Sequence, residues 1–196
     1  MSDNYVITIS RQSGCGGGII GKQLADSLGI EYYDKKIIHQ LIADDCGIDE
    51  ELVAELMEKK SSNIFGVTSN SLEEQVFASK VKIIRELAEN HSCVIVGKCA
   101  DYILRDYDNV LNIFLYGEMQ DRINRLINEY HEYESITEKE LRNQDKKRAN
   151  YYEFFTSRKW GDRDNYDAMI NTRIGLGATA KMLETFARER FGGIDY

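Results

Sequence analysis

Residues 5–25 read YVITISRQSGCGGGIIGKQLA, and they predict a strand, a glycine-rich loop and a helix in succession. The apolar run Val6–Ile9 is typical of a short buried strand. Apolar residues then recur at helical spacing over residues 17–28, and Gly29 ends that helix. A glycine-rich turn before a helix directs backbone N–H groups and the positive helix terminus towards an anion. The stretch therefore predicts a phosphate-binding loop.

The loop fits the phosphate-binding pattern GxxxxGK[ST] best in a degenerate register. Residues 11–18 follow the strand directly, which places Gly17 at the lysine position and Gly18 at the hydroxyl position. A literal match to GxxxxGK, Gly16–Lys22, begins too far from the strand. It also puts the apolar pair Ile19–Ile20, which we assign to the core, against the phosphate. In the favoured register the lysine and the hydroxyl are both missing.

A third pattern overlaps the same loop. Gly16, Gly18 and Gly21 match the dinucleotide fingerprint GxGxxG, and Asp34 follows at about the distance of a ribose ligand. This match keeps a dinucleotide-dependent oxidoreductase as a competing hypothesis. Its glycines also begin too far after the strand, and a lone GxGxxG is weak support.

Strands and helices alternate along the rest of the chain. Further strands are predicted at Ile30–Tyr33, Val94–Val96, Val110–Tyr116 and Tyr166–Asn171, and helices over 35–60, 71–90, 118–131, 137–156 and 173–191. This alternation predicts an α/β fold with a parallel sheet and helices on both faces. Ligands of such sheets bind at the carboxyl ends of the strands.

The composition favours a globular protein that binds small anions. The chain has 196 residues, 42% of them hydrophobic and 30% charged, with a net charge of −8. That charge argues against general nucleic-acid binding, and no segment approaches a membrane span. The first strand begins near the N-terminus without a signal-peptide pattern, so we expect a cytoplasmic protein. The sequence neither requires nor excludes a homo-oligomer.

The distribution of charges and cysteines favours an anion-binding site over a metal-binding site. Residues 142–163 carry seven Lys or Arg residues against three acids, a local positive patch that suits a small anionic ligand. The four cysteines have no CxxC spacing and the three histidines stand alone, so no zinc site and no direct metal ligand are predicted.

Several motifs resemble the cytidylate kinase-like proteins, a branch of the P-loop nucleoside monophosphate kinases. They are Ile7–Gly17, Gly21-Lys22 with Leu24-Ala25, Tyr33–Lys35, Val94–Asp101, Ile113–Leu115, Trp160–Asp162, Asn165–Asp167 and Ile170–Thr172. The resemblance covers essentially the whole chain. It implies a three-layer αβα P-loop kinase fold with a five-stranded parallel sheet.

The resemblance also implies how one domain, residues 1–196, is organised. The core is expected at residues 1–34, 91–131 and 164–196. A helical excursion that binds a nucleoside monophosphate is expected at 35–90, and a lid at 132–163. The implied activity is phosphoryl transfer from ATP, with Mg²⁺, to a nucleoside monophosphate (CMP- or dCMP-like) or another small acceptor. The missing lysine favours an alternative, a nucleotide- or phosphate-binding regulatory protein with impaired catalysis.

Candidate residues on the ATP side begin with the loop itself, which supplies Ser13, Gly14, Cys15, Gly16, Gly17 and Gly18. Arg11 at the junction of strand and loop can supply the missing charge. Asp145 and Arg148, three residues apart on a helix, can act together on a transferring phosphate, and the resemblance places them in the lid. Arg122 and Arg125 share one helix face. The resemblance implies a role beside ATP for them, and the alternative is a solvated surface.

On the acceptor side, the resemblance implies that Asp34 and Lys98 face the substrate. Relatives tend to have arginine where this chain has Lys98. Lys35-Lys36 stands where cytidylate kinases carry threonine and glycine, which weakens the expectation of CMP specificity. Asp101 can hold Mg²⁺ through water or cap a helix.

Overall fold

A computed structural model describes residues 4–58 and 71–192 of the chain. Its centre is a five-stranded parallel sheet with the strand order β2-β3-β1-β4-β5. Helices cover both faces of the sheet, so the predicted αβα arrangement is confirmed. Within the described residues, no helix combines the length and the apolar character needed to cross a membrane.

The three central strands are buried on both faces. β1 is Val6–Arg11, β3 is Cys93–Val96 and β4 is Val110–Tyr116. β1 pairs with β3 on one side and with β4 on the other. Because both faces are covered by helices, these strands are mostly apolar, and the polar Thr8 and Ser10 of β1 are themselves buried. β1 extends two residues past the predicted end, so Arg11 belongs to the strand.

The outer strands are shorter. β2 is Glu31–Tyr33 and β5 is Ala168–Asn171, the latter beginning two residues after its predicted start. Short turns of 3₁₀-helix at Arg163–Asn165 and Thr172–Ile174 flank β5.

Helices α1 (Gly17–Leu28) and α8 (Leu176–Phe191) cover one face of the sheet. Ile20, Leu24 and Leu183 are fully buried there. Ile19 is 41% exposed, so its assignment to the core was wrong. Neighbouring helix positions point about 100° apart, so Ile19 points away from the core that buries Ile20.

The other face carries α2 (Lys35–Cys46), α3 (Glu50–Glu58), α4 (Ser71–Asn90) and the short α5 (Ala100–Ile103). The helix predicted over 35–60 is divided at Gly47, whose φ of 66° ends α2 in the left-handed conformation. Residues 59–70 of the predicted excursion lie outside the described residues.

The last group of helices adjoins the glycine loop. α6 (Met119–Asn124) continues into a turn of π-helix at Arg125–Glu129. α7 (Glu138–Thr156) begins with a capping box between Thr137 and Glu140, which fixes its first residue.

Candidate functional site

The glycine loop joins β1 to α1 at the carboxyl edge of the sheet. Gly14 and Gly16 have φ values of 77° and 76°, in the left-handed region that favours glycine. A Cβ on Gly14 would also stand 2.6 Å from the backbone oxygen of Arg122. The loop is therefore pressed against α6, and its glycines are required by its shape.

Arg11 and Gly17 share one space at the start of α1. A Cβ on Gly17 would stand 2.9 Å from Cγ and 3.2 Å from Cδ of Arg11. The aliphatic stem of Arg11 thus crosses the position that the lysine side chain would leave in a GxxxxGK[ST] loop. This contact explains why glycine occupies position 17.

The literal register of the motif fails in the structure. A Cβ on Gly21 would stand 2.5 Å from Cγ2 of Val96, so Gly21 lets α1 pack on the sheet. Lys22 is exposed and bonds to Asp26 within the same helix. Neither residue lies in the loop, as the degenerate register predicts.

Ser13 ties α7 to the loop. Its backbone N–H donates to Oδ1 of Asp145 at 2.8 Å, and its Oγ accepts a hydrogen bond from Nε of Arg148 at 3.1 Å. Oδ2 of Asp145 accepts from Nη1 of Arg122 at 2.6 Å. The predicted pair Asp145 and Arg148 therefore lies at the loop, with both residues in contact with Ser13.

Cys15 contributes to the loop through its backbone N–H and through the packing of its side chain. Its side chain is fully buried, and burial is the main factor that raises the pKa of its thiol to about 11. Its N–H lies 3.4 Å from the carbonyl oxygen of Gln12. The neutral thiol fills space beneath the loop.

One cavity, which we name the loop cavity, has a volume of about 490 Å³. It is lined by the residues Arg11–Ile19 together with Leu126, Glu129, Tyr130, Glu132, Gln144 and Arg148. It therefore contains all six predicted loop residues along with two of the predicted catalytic residues.

Tyr130 is a site residue that the sequence analysis missed. Its hydroxyl is buried and has no hydrogen-bond partner among the described residues. A Cβ on Gly16 would stand 2.7 Å from that hydroxyl. Burial raises the pKa of Tyr130 to about 12, so the phenol stays protonated and can donate to a ligand at the loop. The π-helical turn before Tyr130 is the one sign of function, because such turns often occur at functional sites, but it is not visible in the sequence.

The second cavity, which we name the lysine cavity, has a volume of about 420 Å³. Its cationic lining residues are Arg11, Lys35, Lys80, Lys98, Lys147 and Arg148, and among the described residues Glu132 is the one acid that lines it. Apolar walls come from the sheet and from α2 and α4, including Ile38, Ile84 and Ile95. This surplus of positive charge suits an anionic ligand.

The two cavities meet at a common wall. Arg11, Ser13, Glu132, Gln144 and Arg148 line both. Burial, and next the charge of Arg148, lower the pKa of Arg11. Two guanidinium groups held this close favour a negatively charged group between the cavities.

Arg122 and Arg125 are buried, so the alternative of a solvated helix face is wrong. Arg122 is 2% exposed and pairs with Asp145. Nη1 and Nη2 of Arg125 donate to Oγ1 and to the backbone oxygen of Thr172, each at 2.8 Å. Neither arginine lines the loop cavity or the lysine cavity, so their role beside ATP stays a prediction.

Of the three predicted acceptor residues, one lines a cavity and the other two bond to neighbouring protein groups. Lys98 lines the lysine cavity. Oδ1 of Asp34 accepts the N–H of Ile37 and caps α2. The carboxylate of Asp101 is buried and accepts the hydroxyl of Tyr152 at 2.6 Å. Asp34 and Asp101 line neither cavity.

Metal-binding groups are sparse at this site. Within residues 4–58 and 71–192, no three His, Cys, Asp or Glu side chains are grouped so as to hold a metal ion. Mg²⁺ in nucleotide sites binds mainly phosphate and water, with one or two protein carboxylates. Glu129 and Glu132 line the loop cavity and offer carboxylates of that kind.

Comparison with known proteins gives a family and a set of fold neighbours. The sequence profile of the cytidylate kinase-like family matches residues 6–174. A crystal structure of an uncharacterized protein from Eubacterium ventriosum is 25% identical with a TM-score of 0.72, and the match covers 95% of this chain and 99% of that chain. No curated protein matches the sequence.

Two small-molecule kinases share the fold at lower identity. Shikimate kinase from Acinetobacter baumannii, solved with shikimate, is 17% identical with a TM-score of 0.56 over 95% of this chain and 94% of that chain. A gluconokinase from Sinorhizobium meliloti is 13% identical with a TM-score of 0.57 over 96% of this chain and 94% of that chain. At these identities the likeness concerns the fold, which is that of the P-loop kinases.

Proposed function

Because this chain belongs to the cytidylate kinase-like family, we propose that it transfers a phosphoryl group from ATP to a small acceptor. The loop cavity holds the ATP phosphates, and the lysine cavity holds the acceptor. The acceptor is a nucleoside monophosphate or another small molecule that enters a cavity of about 420 Å³. The observation that carries this proposal is the common wall of the two cavities, which includes Arg11 and Arg148.

The wall has the properties that phosphoryl transfer needs. The reaction depends on in-line positioning and on neutralising charge on the transferred group, with little covalent work for the protein. Arg11 reaches the wall from β1, and Arg148 reaches it from α7. A phosphoryl group that passes from the loop cavity to the lysine cavity passes between them.

In this proposal, Arg11 replaces the lysine that the loop lacks. Its stem already occupies the space over Gly17, so its charge enters the loop from the strand instead of from the helix. A guanidinium also presents several N–H donors in a plane, which suits phosphate oxygens. Mg²⁺, bound through the ATP phosphates and Glu129 or Glu132, would supply further charge neutralisation.

The test is an assay of ATP consumption with Mg²⁺ over CMP, dCMP, UMP, AMP, shikimate and gluconate. We expect turnover with one class of acceptor. Arg148→Met should lower kcat by about 100-fold or more, because it removes a donor aimed at the transferred group. Arg142→Met is the matched control on the same helix, because Arg142 is 67% exposed and pairs only at the surface with Glu138. Equal kcat for Arg148→Met and wild type would contradict the assignment of the wall.

A second candidate function is nucleotide binding without transfer. Two observations support it. Asp145 already occupies the N–H of Ser13 in the loop, and the two arginines expected beside ATP are bonded to protein groups. Binding of a non-hydrolysable ATP analogue, with no turnover of any acceptor in the panel, would favour this function.

A further inference from the structure

Asp101 and Tyr152 form a buried hydrogen bond outside both cavities. The hydroxyl of Tyr152, which is 1% exposed, donates to Oδ2 of Asp101 at 2.6 Å, and Asp101 is 4% exposed. Burial, and next the charge of Asp101, raise the pKa of Tyr152, so the phenol keeps its proton and remains the donor. A hydrogen bond to a carboxylate is among the stronger ones in proteins. It therefore ties α7, which carries Tyr152, to α5, which carries Asp101.

Several groups hold the carboxylate of Asp101 in place on the core side of this bond. Burial raises its pKa, and hydrogen bonds from Tyr152 and from backbone N–H groups at the start of α5 oppose the rise. Oγ of Ser10 lies 3.5 Å from Oδ1 of the same carboxylate, and Ser10 directly precedes Arg11 in β1. The carboxylate thus contacts the strand that brings Arg11 to the common wall. Through Tyr152 it also contacts the helix that brings Arg148 there.

Arg148 lies on a stretch of α7 that packing holds only loosely. None of the side chains from 142 to 150, all within the described part of the chain, is buried. Asp145 bonds to the loop on the N-terminal side of Arg148. Tyr152 follows Arg148 by about one helical turn, so the two side chains lie on the same side of α7. Since Arg11 and Arg148 carry like charges that repel each other at the wall, the bond of Tyr152 to the core helps to keep Arg148 there.

We propose that the hydrogen bond between Tyr152 and Asp101 positions Arg148 at the common wall. Tyr152 and Asp101 are positioning residues, because neither lines a cavity and both act through the guanidinium of Arg148. Such a tie affects the rate strongly, since misplacing a group at the reacting centre by about 1 Å can cost on the order of 100-fold. The effect on phosphoryl transfer rests on the proposed function, while the placement of Arg148 rests on the contacts above.

The first measurement follows Arg148 itself by NMR and needs no catalysis. The signal of its Nε–H, which donates to Oγ of Ser13, is assigned by its loss in Arg148→Met. The exchange of this proton with solvent is then compared in wild type, Tyr152→Phe and Tyr107→Phe. Tyr152→Phe removes the hydroxyl and keeps the buried ring. Tyr107→Phe is the matched control, because the hydroxyl of Tyr107 also donates to a carboxylate, Oε1 of Glu89 at 2.9 Å, but at the surface.

We expect the Nε–H of Arg148 to exchange about tenfold or more faster in Tyr152→Phe, since a looser α7 opens its hydrogen bond more often. In Tyr107→Phe the exchange should stay within about twofold of wild type.

The second measurement is the kinase assay. Tyr152→Phe should lower kcat about tenfold or more and leave KM within about twofold, as for a contact made only in the transition state. In the Arg148→Met background, Tyr152→Phe should lower kcat no further, because a positioning residue acts only through the residue that it positions.

Wild-type exchange of the Arg148 proton in Tyr152→Phe would overturn the proposal, and so would equal acceleration in Tyr152→Phe and Tyr107→Phe. Additive losses of kcat in the double variant would overturn it as well, since a merely structural role gives additive losses. If Tyr152→Phe does not fold, Asp101→Asn decides, because it weakens the same hydrogen bond from the other side. If no acceptor is turned over, the proposed function fails, and the exchange measurement still decides whether Tyr152 positions Arg148.

Discussion

The stem of Arg11 fills the space that any side chain at Gly17 would need, with Cγ 2.9 Å from the position of a Cβ there. A cationic side chain from the strand therefore lies where a side chain at position 17 of the helix would begin, and residue 17 has only a hydrogen atom there. This relationship leads to the first prediction.

Gly17→Ala should displace Arg11 and weaken the binding of ATP by about tenfold, because overpacking at a rigid site costs about 1–3 kcal/mol. Gly18→Ala is the natural comparison. Its Cβ would meet Tyr32 Oη at 3.6 Å, an ordinary contact. That variant should raise the free energy of unfolding by about 0.5–1 kcal/mol, as alanine replaces glycine in a helix, and should weaken ATP binding less. Calorimetry with an ATP analogue and urea unfolding measure both effects, and equal Kd values for the two variants would contradict the contact.

Asp145→Asn should lower the free energy of unfolding by about 3 kcal/mol. It leaves the guanidinium of Arg122, which is 2% exposed, without its carboxylate. Glu138→Gln on the same helix breaks a pair whose side chains are more than half exposed and should cost less than about 0.5 kcal/mol. Urea unfolding of both variants checks the prediction, and a similar small loss in each would show that the Asp145 pair behaves as a surface pair.

Tyr130→Phe should separate ligand binding from stability. The variant removes a buried hydroxyl that has no partner among the described residues, so the free energy of unfolding should stay the same or rise. The Kd for an ATP analogue should increase about fivefold or more, since the hydroxyl faces the loop at Gly16. Tyr116→Phe, at a half-exposed tyrosine that ends β4, should change neither quantity. Unchanged binding in Tyr130→Phe would mean that the hydroxyl contacts no ligand.

Asp101→Asn should change how stability depends on pH. Burial raises the pKa of Asp101, while the hydrogen bond from Tyr152 opposes the rise. The folded chain thus holds this proton more tightly than the unfolded chain, so wild type loses stability relative to the variant as pH rises through the raised pKa. Urea unfolding at about pH 4 and about pH 7 should show the difference moving in favour of Asp101→Asn at the higher pH. A difference independent of pH would contradict a raised pKa.

The fold was largely predictable because its signals are local. The apolar strand and the glycine-rich stretch directly predict β1, the loop and α1 in that order. Gly29 ends α1 as expected. The division of the second helix at Gly47 was missed because glycine inside a helical pattern is often tolerated. Ile19 was assigned to the core together with its neighbour Ile20. A difference of one position around the helix places it at the loop cavity instead.

The site was less predictable because its residues come together only through packing. Lys80 and Tyr130 belong to no motif. Each lines a cavity only because the fold buries it beside a distant part of the chain. Asp101 shows the reverse case. Its place in a motif of the acceptor side predicted a Mg²⁺ contact through water or a helix cap, and the hydrogen bond that its carboxylate accepts from Tyr152 was not predicted.

The Ser13 N–H in the loop donates its hydrogen bond to Asp145 on α7. A phosphate bound in the loop would therefore compete with Asp145 for this hydrogen-bond donor. An N–H group in this geometry serves one strong acceptor at a time. A phosphate that takes this donor must release Asp145, and the free energy of that release is subtracted from the affinity. By reciprocity, a change that breaks only the hydrogen bond between Asp145 and Ser13 tightens phosphate binding by the same factor. The affinity of the loop for phosphate and the contact between Asp145 and the loop are thus thermodynamically linked.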